Sequence, residues 1–188
     1  LTFLLSLTFL FLFSVSVYGV DLQDGRDAYK RKDYATAYKL LAPLAEQGVS
    51  DAQNVLGVMY DNGTGVPQDN MEAVKWYRLS AEQGFAKAQF NLGLMYSKGQ
   101  GVPKDYKEAF KLYRLSAEQG NAEAQSNLGS MYQKGQGVPQ DYQEAVRLYR
   151  LSADQGNALA QSNLGLMYEN GQGVPQDYKE AVKWLRLS

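Results

Sequence analysis

Two recurring features of this chain have residue types and spacings suited to chemistry. One is a glycine-rich loop that runs into a helix, "KGQGVPKDY" at residues 98–106. The amides of such a loop, with the free N–H groups of a helix start, can cradle a phosphate. The other is a carboxylate pair three residues apart, Asp105 and Glu108, copied as Asp69/Glu72, Asp141/Glu144 and Asp177/Glu180. Paired carboxylates can divide the acid and base duties of glycoside hydrolysis. The rest of the inventory restricts both readings. The 188 residues include no histidine and no cysteine, which removes the commonest general base, the commonest metal ligand, the thiol nucleophile and any disulfide. No cofactor and no metal ligand is expected. With 19 Lys+Arg against 20 Asp+Glu, the chain lacks the basic surplus of a nucleic-acid binder, so no nucleic-acid partner is expected.

Both features belong to one larger motif. Pro67, Pro103, Pro139 and Pro175 follow one another at 36-residue steps, and the residues around them repeat. The units are residues 50–85, 86–121, 122–157 and an incomplete 158–188, preceded by a degenerate unit or cap over 20–49. A period of this length marks a solenoid of supersecondary units. Each unit carries two helical patterns, such as "AEAQSNLGSMYQK" and "DYKEAFKLYRLSAEQ", and no segment alternates like a strand. The expected class is therefore all-α, without enzymatic activity.

This periodicity reinterprets the chemical candidates. Asp105 stands at the helix start and can take the free amides itself, and its charge repels a phosphate. The loop also lacks a Gly-Lys-Ser/Thr ending. It is read as a connector, and the carboxylate pairs as capping boxes. Gly57, Gly93, Gly129 and Gly165 fall inside first helices, where glycine is costly. They imply close helix packing, with Ala73, Ala109, Ala145 and Ala181 as the expected facing residues. Leu56, Met59, Tyr60 and their copies are expected between the helices. So are Trp76, Leu112, Leu148 and Trp184, with Leu79, Leu115, Leu151 and Leu187. Arg78, Arg114, Arg150 and Arg186 form a basic ladder expected to pair with acids of neighbouring units.

The recurring "A-x-A-Q-x-x-L-G-x-M-Y-x-x-G-x-G-V-P-x-D-x-x-E-A", followed by "SAEQG", closely resembles the Sel-one-like repeat family, relatives of the tetratricopeptide repeats. The resemblance covers 50–188 almost position for position and 25–48 loosely. It implies a right-handed α-solenoid superhelix of antiparallel helix pairs, with first helices lining a concave surface. It also implies a scaffold or adaptor that binds other proteins, often in envelope or secreted settings. A cysteine-rich branch is linked to β-lactam binding; this chain has neither the cysteines nor the Ser-x-x-Lys and Lys-Thr-Gly motifs.

Comparing the units with one another suggests a site. Positions that differ between units are free of the stacking duty. In the first helices these are Asp51, Asn54, Val58 and Asp61; Lys87, Phe90, Leu94 and Ser97; Glu123, Ser126, Ser130 and Gln133; Leu159, Ser162, Leu166 and Glu169. Their three-four-three spacing places them on one helix face, widened by Asn62, Lys98, Lys134 and Asn170. Given the concave surface that the resemblance implies, this stripe is the candidate groove for a peptide or protein. The alternatives are a cell-wall or β-lactam hydrolase on the same scaffold and a spacer without a specific ligand.

Residues 1–19 read as a signal peptide. No charge occurs from Leu1 to Val20, and Val17 and Gly19 stand near a cleavage point. The repeats are then secreted or periplasmic. An uncleaved membrane anchor is the alternative, and only then is the membrane a partner. The final "AVKWLRLS" leaves apolar residues without a following unit; the expectation is that the natural chain continues, or that this surface meets a partner or self-associates with another copy.

Overall fold

A computed structural model describes residues 21–188. The expected signal peptide lies outside them. The described residues are helical and contain no strand: α1 (21–30), α2 (Tyr34–Glu46), α3 (Ser50–Asn62), α4 (Asn70–Glu82), α5 (Ala86–Lys98), α6 (Tyr106–Glu118), α7 (Ala122–Lys134), α8 (Tyr142–Ala153), α9 (Ala158–Asn170) and α10 (Tyr178–Leu185). They follow one another in pairs and fall into two compact units, which part between Gln83 and Gly84. No described helix is long and apolar enough to cross a membrane.

In the first unit, α2 packs on α3 and α3 on α4. Its core holds Ala28, Leu41, Leu44, Leu56 and Met59. The Gly-Val-Pro loop is absent between α1 and α2. The chain turns there through Lys32 at φ 64, and Asp33 caps α2 by accepting from the Thr36 amide.

In the second unit, α5/α6, α7/α8 and α9/α10 pair, while α6 packs on α7 and α8 on α9. One motif therefore governs each step. At the end of a first helix, Gly99, Gly135 and Gly171 adopt left-handed φ of 72°, 67° and 65°. Their amides donate to Met95, Met131 and Met167, as helix-closing glycines do. At the start of the next helix, Asp105, Asp141 and Asp177 accept from two amides each.

Only half of each expected capping box forms. The Asp141 amide, which the box would give to Glu144, donates instead to the Tyr132 carbonyl of the first helix. Glu144 pairs with Arg147 at 2.6 Å, as Glu108 does with Lys111 and Glu180 with Lys183. The box needs a free amide, and the tight connector has already used it.

The expected alanine partners of the mid-helix glycines are met only through their backbone: the Ala145 carbonyl oxygen lies 3.3 Å from a Cβ on Gly129 and that of Ala181 3.1 Å from one on Gly165, and side chains of other residues come nearer. A Cβ on Gly129 would meet the Tyr149 ring at 3.0 Å, and one on Gly93 the Tyr113 ring at 2.8 Å. In the first unit, Gly57 lies against Tyr77 at 2.5 Å. Glycine is there to seat an aromatic ring. At the end of the chain, Leu185 takes that place against Gly165.

Leu79, Leu115 and Leu151 are not interhelical filling; they are about two-fifths exposed, and Leu187 more so. The inward place beside Leu79, Leu115 and Leu151 belongs to a fully buried serine. Ser116 Oγ donates to the Ala86 carbonyl at 2.7 Å, and Ser152 Oγ to Ala122 at 2.6 Å. A short hydroxyl that satisfies itself on the facing backbone permits a closer approach than leucine would.

Glutamines join successive repeats. Gln155 Nε2 donates to Gln125 Oε1 at 2.8 Å, and Gln125 Nε2 donates to the Ala117 carbonyl of the preceding repeat at 3.3 Å. The first unit holds the same relay from Gln83 through Gln53 to the Ala45 carbonyl. This accounts for the recurring glutamines of "AxAQ" and "SAEQG". A buried amide must be satisfied, and here it is satisfied by the neighbouring repeat.

Candidate functional site

The variable stripe does not form one uniform surface. Its outer members Lys87, Lys98, Glu123, Lys134, Leu159, Leu166 and Asn170 are exposed. Leu94, Ser130 and Ser162 are half-buried. Two residues, Asn54 and Ser126, are buried rather than exposed along the stripe. Phe90 shows the reason: its ring lies 5.8 Å from that of Tyr113, so this position turns toward the second-helix tyrosine. In the first unit, Asp51 is occupied by an ion pair with Arg26 at 2.7 Å. Asp61 stands 3.5 Å from the Tyr77 hydroxyl, and Val58 is half-buried.

In the second unit, part of the stripe converges on two cavities. One, of about 290 Å³, is lined by Leu94, Ser97, Tyr113, Asn127, Ser130 and Lys134 among others. The other, of about 310 Å³, is lined by Ser126, Ser130, Lys134, Leu159, Tyr149 and Asn163 among others. Asn127, Ser130 and Lys134 border both. Neither is lined by Lys87, Phe90, Lys98, Glu123, Ser162, Leu166 or Asn170. The helix repeat explains the convergence. Ser126, Ser130 and Lys134 succeed one another at four-residue spacings on α7, with Gln133 three past Ser130, while Leu159 and Asn163 are four apart on α9.

Asn127 and Asn163 were missed in the sequence because they recur, with Asn91, and recurrence was attributed to stacking. The available signal was chemical. An amide that recurs next to a variable position adds little to an apolar layer.

The tyrosines beneath the cavities are neutral and firmly held. Tyr149 donates to Gln133 Oε1 at 2.7 Å. Burial pushes its hydroxyl up to about 12, against a smaller opposing effect of the Ser130 hydroxyl. Burial also raises Tyr113, with Ser97 and Asn127 pulling the other way. Burial, then the Asp61 charge, raises Tyr77. Such groups favour folding while the phenol is protonated. Between the ordinary value near 10 and the raised one, the unfolded chain loses a proton that the folded chain keeps, so stability falls as pH rises. Urea unfolding from pH 9 to 12 is expected to show this loss. Tyr149→Phe should shallow the slope, and an unchanged slope would remove Tyr149 from the account.

Two rungs of the arginine ladder, Arg114 and Arg150, depart from the expected pairing with acids of neighbouring units. Arg114 lies 3.7 Å from Glu118 on its own helix. Arg150 donates to the Tyr168 hydroxyl and sits over that ring. A cavity of about 400 Å³ near Arg114, Glu118, Glu144, Arg147 and Leu151 is thus bordered by charges already paired with each other. The carboxylate pairs serve helix starts, and the described residues hold no cluster of three or more His, Cys, Asp or Glu suited to a metal.

No curated protein matches the chain. Two solved structures are closely similar. A Sel1 repeat protein from Oxalobacter formigenes is 41% identical with a TM-score of 0.84, over 89% of this chain and 66% of its own. A protective antigen present in uropathogenic Escherichia coli strains, which displays an SLR fold, is 40% identical with a TM-score of 0.85. That match covers 91% of this chain and 38% of the antigen. This chain thus spans less than two thirds of either relative. The Sel1 repeat family matches at residues 18–49, 50–85, 86–121, 122–157 and 158–188. The all-helical pairing, the repeat motif and these likenesses agree: the chain belongs to the Sel1 repeat family, whose scaffolds generally serve protein–protein interaction and are typically non-catalytic.

Proposed function

We propose that this chain is an exported adaptor that holds an extended segment of a partner protein along α5, α7 and α9. The observation that carries the reading is the pair of adjoining cavities on successive first helices, joined through Ser130 and Lys134. Their alternation of apolar Leu94 and Leu159 with hydroxyl, amide and ammonium groups suits a peptide, which presents both kinds of surface. The uncharged stretch Leu1–Val20 supports export. The protective antigen among its relatives supports a role in host contact.

The test is capture from an envelope or secreted extract with the full chain, beside a variant carrying Leu94→Ala, Lys134→Ala and Leu159→Ala. Phe90 is left intact because it packs on Tyr113. Circular dichroism should show equal helicity. A partner captured by the parent and weakened about tenfold or more in the variant is the expected result. Equal capture by both would remove the groove, and no capture by either would favour a spacer.

A further inference from the structure

The repeats differ in what lies over the tyrosine beneath each of the two cavities. Phe90 on α5 and Ser126 on α7 occupy equivalent positions one repeat apart, as do Tyr113 and Tyr149. In the earlier repeat, Phe90 covers the Tyr113 ring. In the later one, serine replaces the aromatic, and the cavity of about 310 Å³ is lined by both Ser126 and Tyr149. Replacing a large side chain by a small one in a packed layer leaves such a space unless neighbours close in. Here they have not. Ser126 is 2% exposed, and its Oγ has no hydrogen-bond partner within the protein. Folded chains seldom leave a buried hydroxyl in that condition, and a bound group can supply the partner.

The lining indicates what that group is. Lys134 is the one charged side chain among the described residues that line the cavity, and no carboxylate is among them. Lys134 makes no ion pair with a described residue. The amide of Asn163 offers further donors. Tyr149 contributes no donor because its proton is given to Gln133. An aromatic insert could cover Tyr149, but it would leave the serine hydroxyl unmatched and the ammonium without a counter-charge. A carboxylate satisfies both.

We infer that this cavity receives a carboxylate of the bound peptide, an acidic side chain or a chain terminus, held by Lys134 with the Ser126 hydroxyl beneath it. The inference rests on the groove reading above and narrows it to acidic segments anchored between α7, α8 and α9.

The test is selection of a random twelve-residue peptide library on the full chain, followed by affinity measurement with the selected peptides. Each is synthesised with free and amidated termini and with Asp/Glu changed to Asn/Gln. The expected result is an acidic consensus. Either amidation or the amide exchange, according to which carboxylate is used, should weaken binding about tenfold or more. Lys134→Gln should weaken it similarly. Ser126→Phe should abolish it with the fold retained, since Phe90 already occupies the equivalent place. Peptides that lose affinity with Leu94→Ala but are indifferent to Lys134→Gln, Ser126→Phe and their own carboxylates would overturn the pocket and leave the groove standing. A consensus of aromatics without acids would do the same. Failure to select any peptide, or binding indifferent to Leu94→Ala and Leu159→Ala as well, would overturn both.

Discussion

Gly137→Ala is expected to destabilise the chain by about 3 kcal/mol, combining left-handed strain with overpacking. Gly137 is the second glycine of its loop and has φ +71°. A Cβ there would overlap the Tyr106 carbonyl of the preceding repeat, lying 2.6 Å from its carbon. Backbone at a helix start cannot move aside as a flexible side-chain tip can. Gly173 stands in the same relation to Tyr142, whereas a Cβ on Gly65 in the first unit would meet the Tyr34 Cβ at 2.7 Å and its carbonyl oxygen at 3.1 Å. The control is Gly120→Ala. Gly120 has φ +87° but nothing within 4 Å of an added Cβ, so it carries only the conformational cost, about 1–2 kcal/mol. Thermal unfolding of the two variants separates the effects. Equal losses would mean that close packing between repeats is not what requires glycine.

Tyr149→Ala is expected to cost about 3–5 kcal/mol, as large-to-small aromatic changes in cores do. The side chain is fully buried, seats against Gly129 and donates to Gln133. Tyr149→Phe keeps the ring and loses the hydrogen bond, about 1 kcal/mol. The contact makes a sharper forecast possible. Gly129→Ala in the parent forces a methyl against the ring and Ala145 backbone. With Tyr149 already alanine, the ring no longer opposes that methyl, and the helix propensity of alanine offsets part of the loss. The double variant should therefore be more stable than the two single losses predict when added. Strict additivity in urea unfolding would mean that the two residues are not coupled and that the glycine is selected for another reason.

The reversal over the loop shows how far local pattern carries. The Asp caps, helix-closing glycines and repeat boundaries were legible because they depend on neighbours within a few residues. That the second glycine touches the preceding repeat was not legible, because the contact joins residues about one repeat apart. Leu115 and Ser116 make the same point. Hydropathy favours the leucine for the interior, yet the serine is buried, because Ala86 presents it with a carbonyl at close range. Likewise the three-four-three spacing identified one face of each first helix. Only the position of Tyr113 and Tyr149 decided that Phe90 and Ser126 turn inward along that face.

By itself, the sequence determined the 36-residue period, two helices per repeat, their caps, and which positions vary. These follow from repetition and from short-range backbone chemistry. The tertiary structure decided which variable residues meet. Leu94, Ser126, Ser130, Lys134 and Leu159 approach two shared cavities across repeats, whereas Asp51 is taken by Arg26. The physical reason is that helix periodicity specifies a direction around one axis, while a cavity depends on the distance between several axes. Here that distance is set by a tyrosine ring against glycine and by glutamines linked to the carbonyls of the preceding repeat.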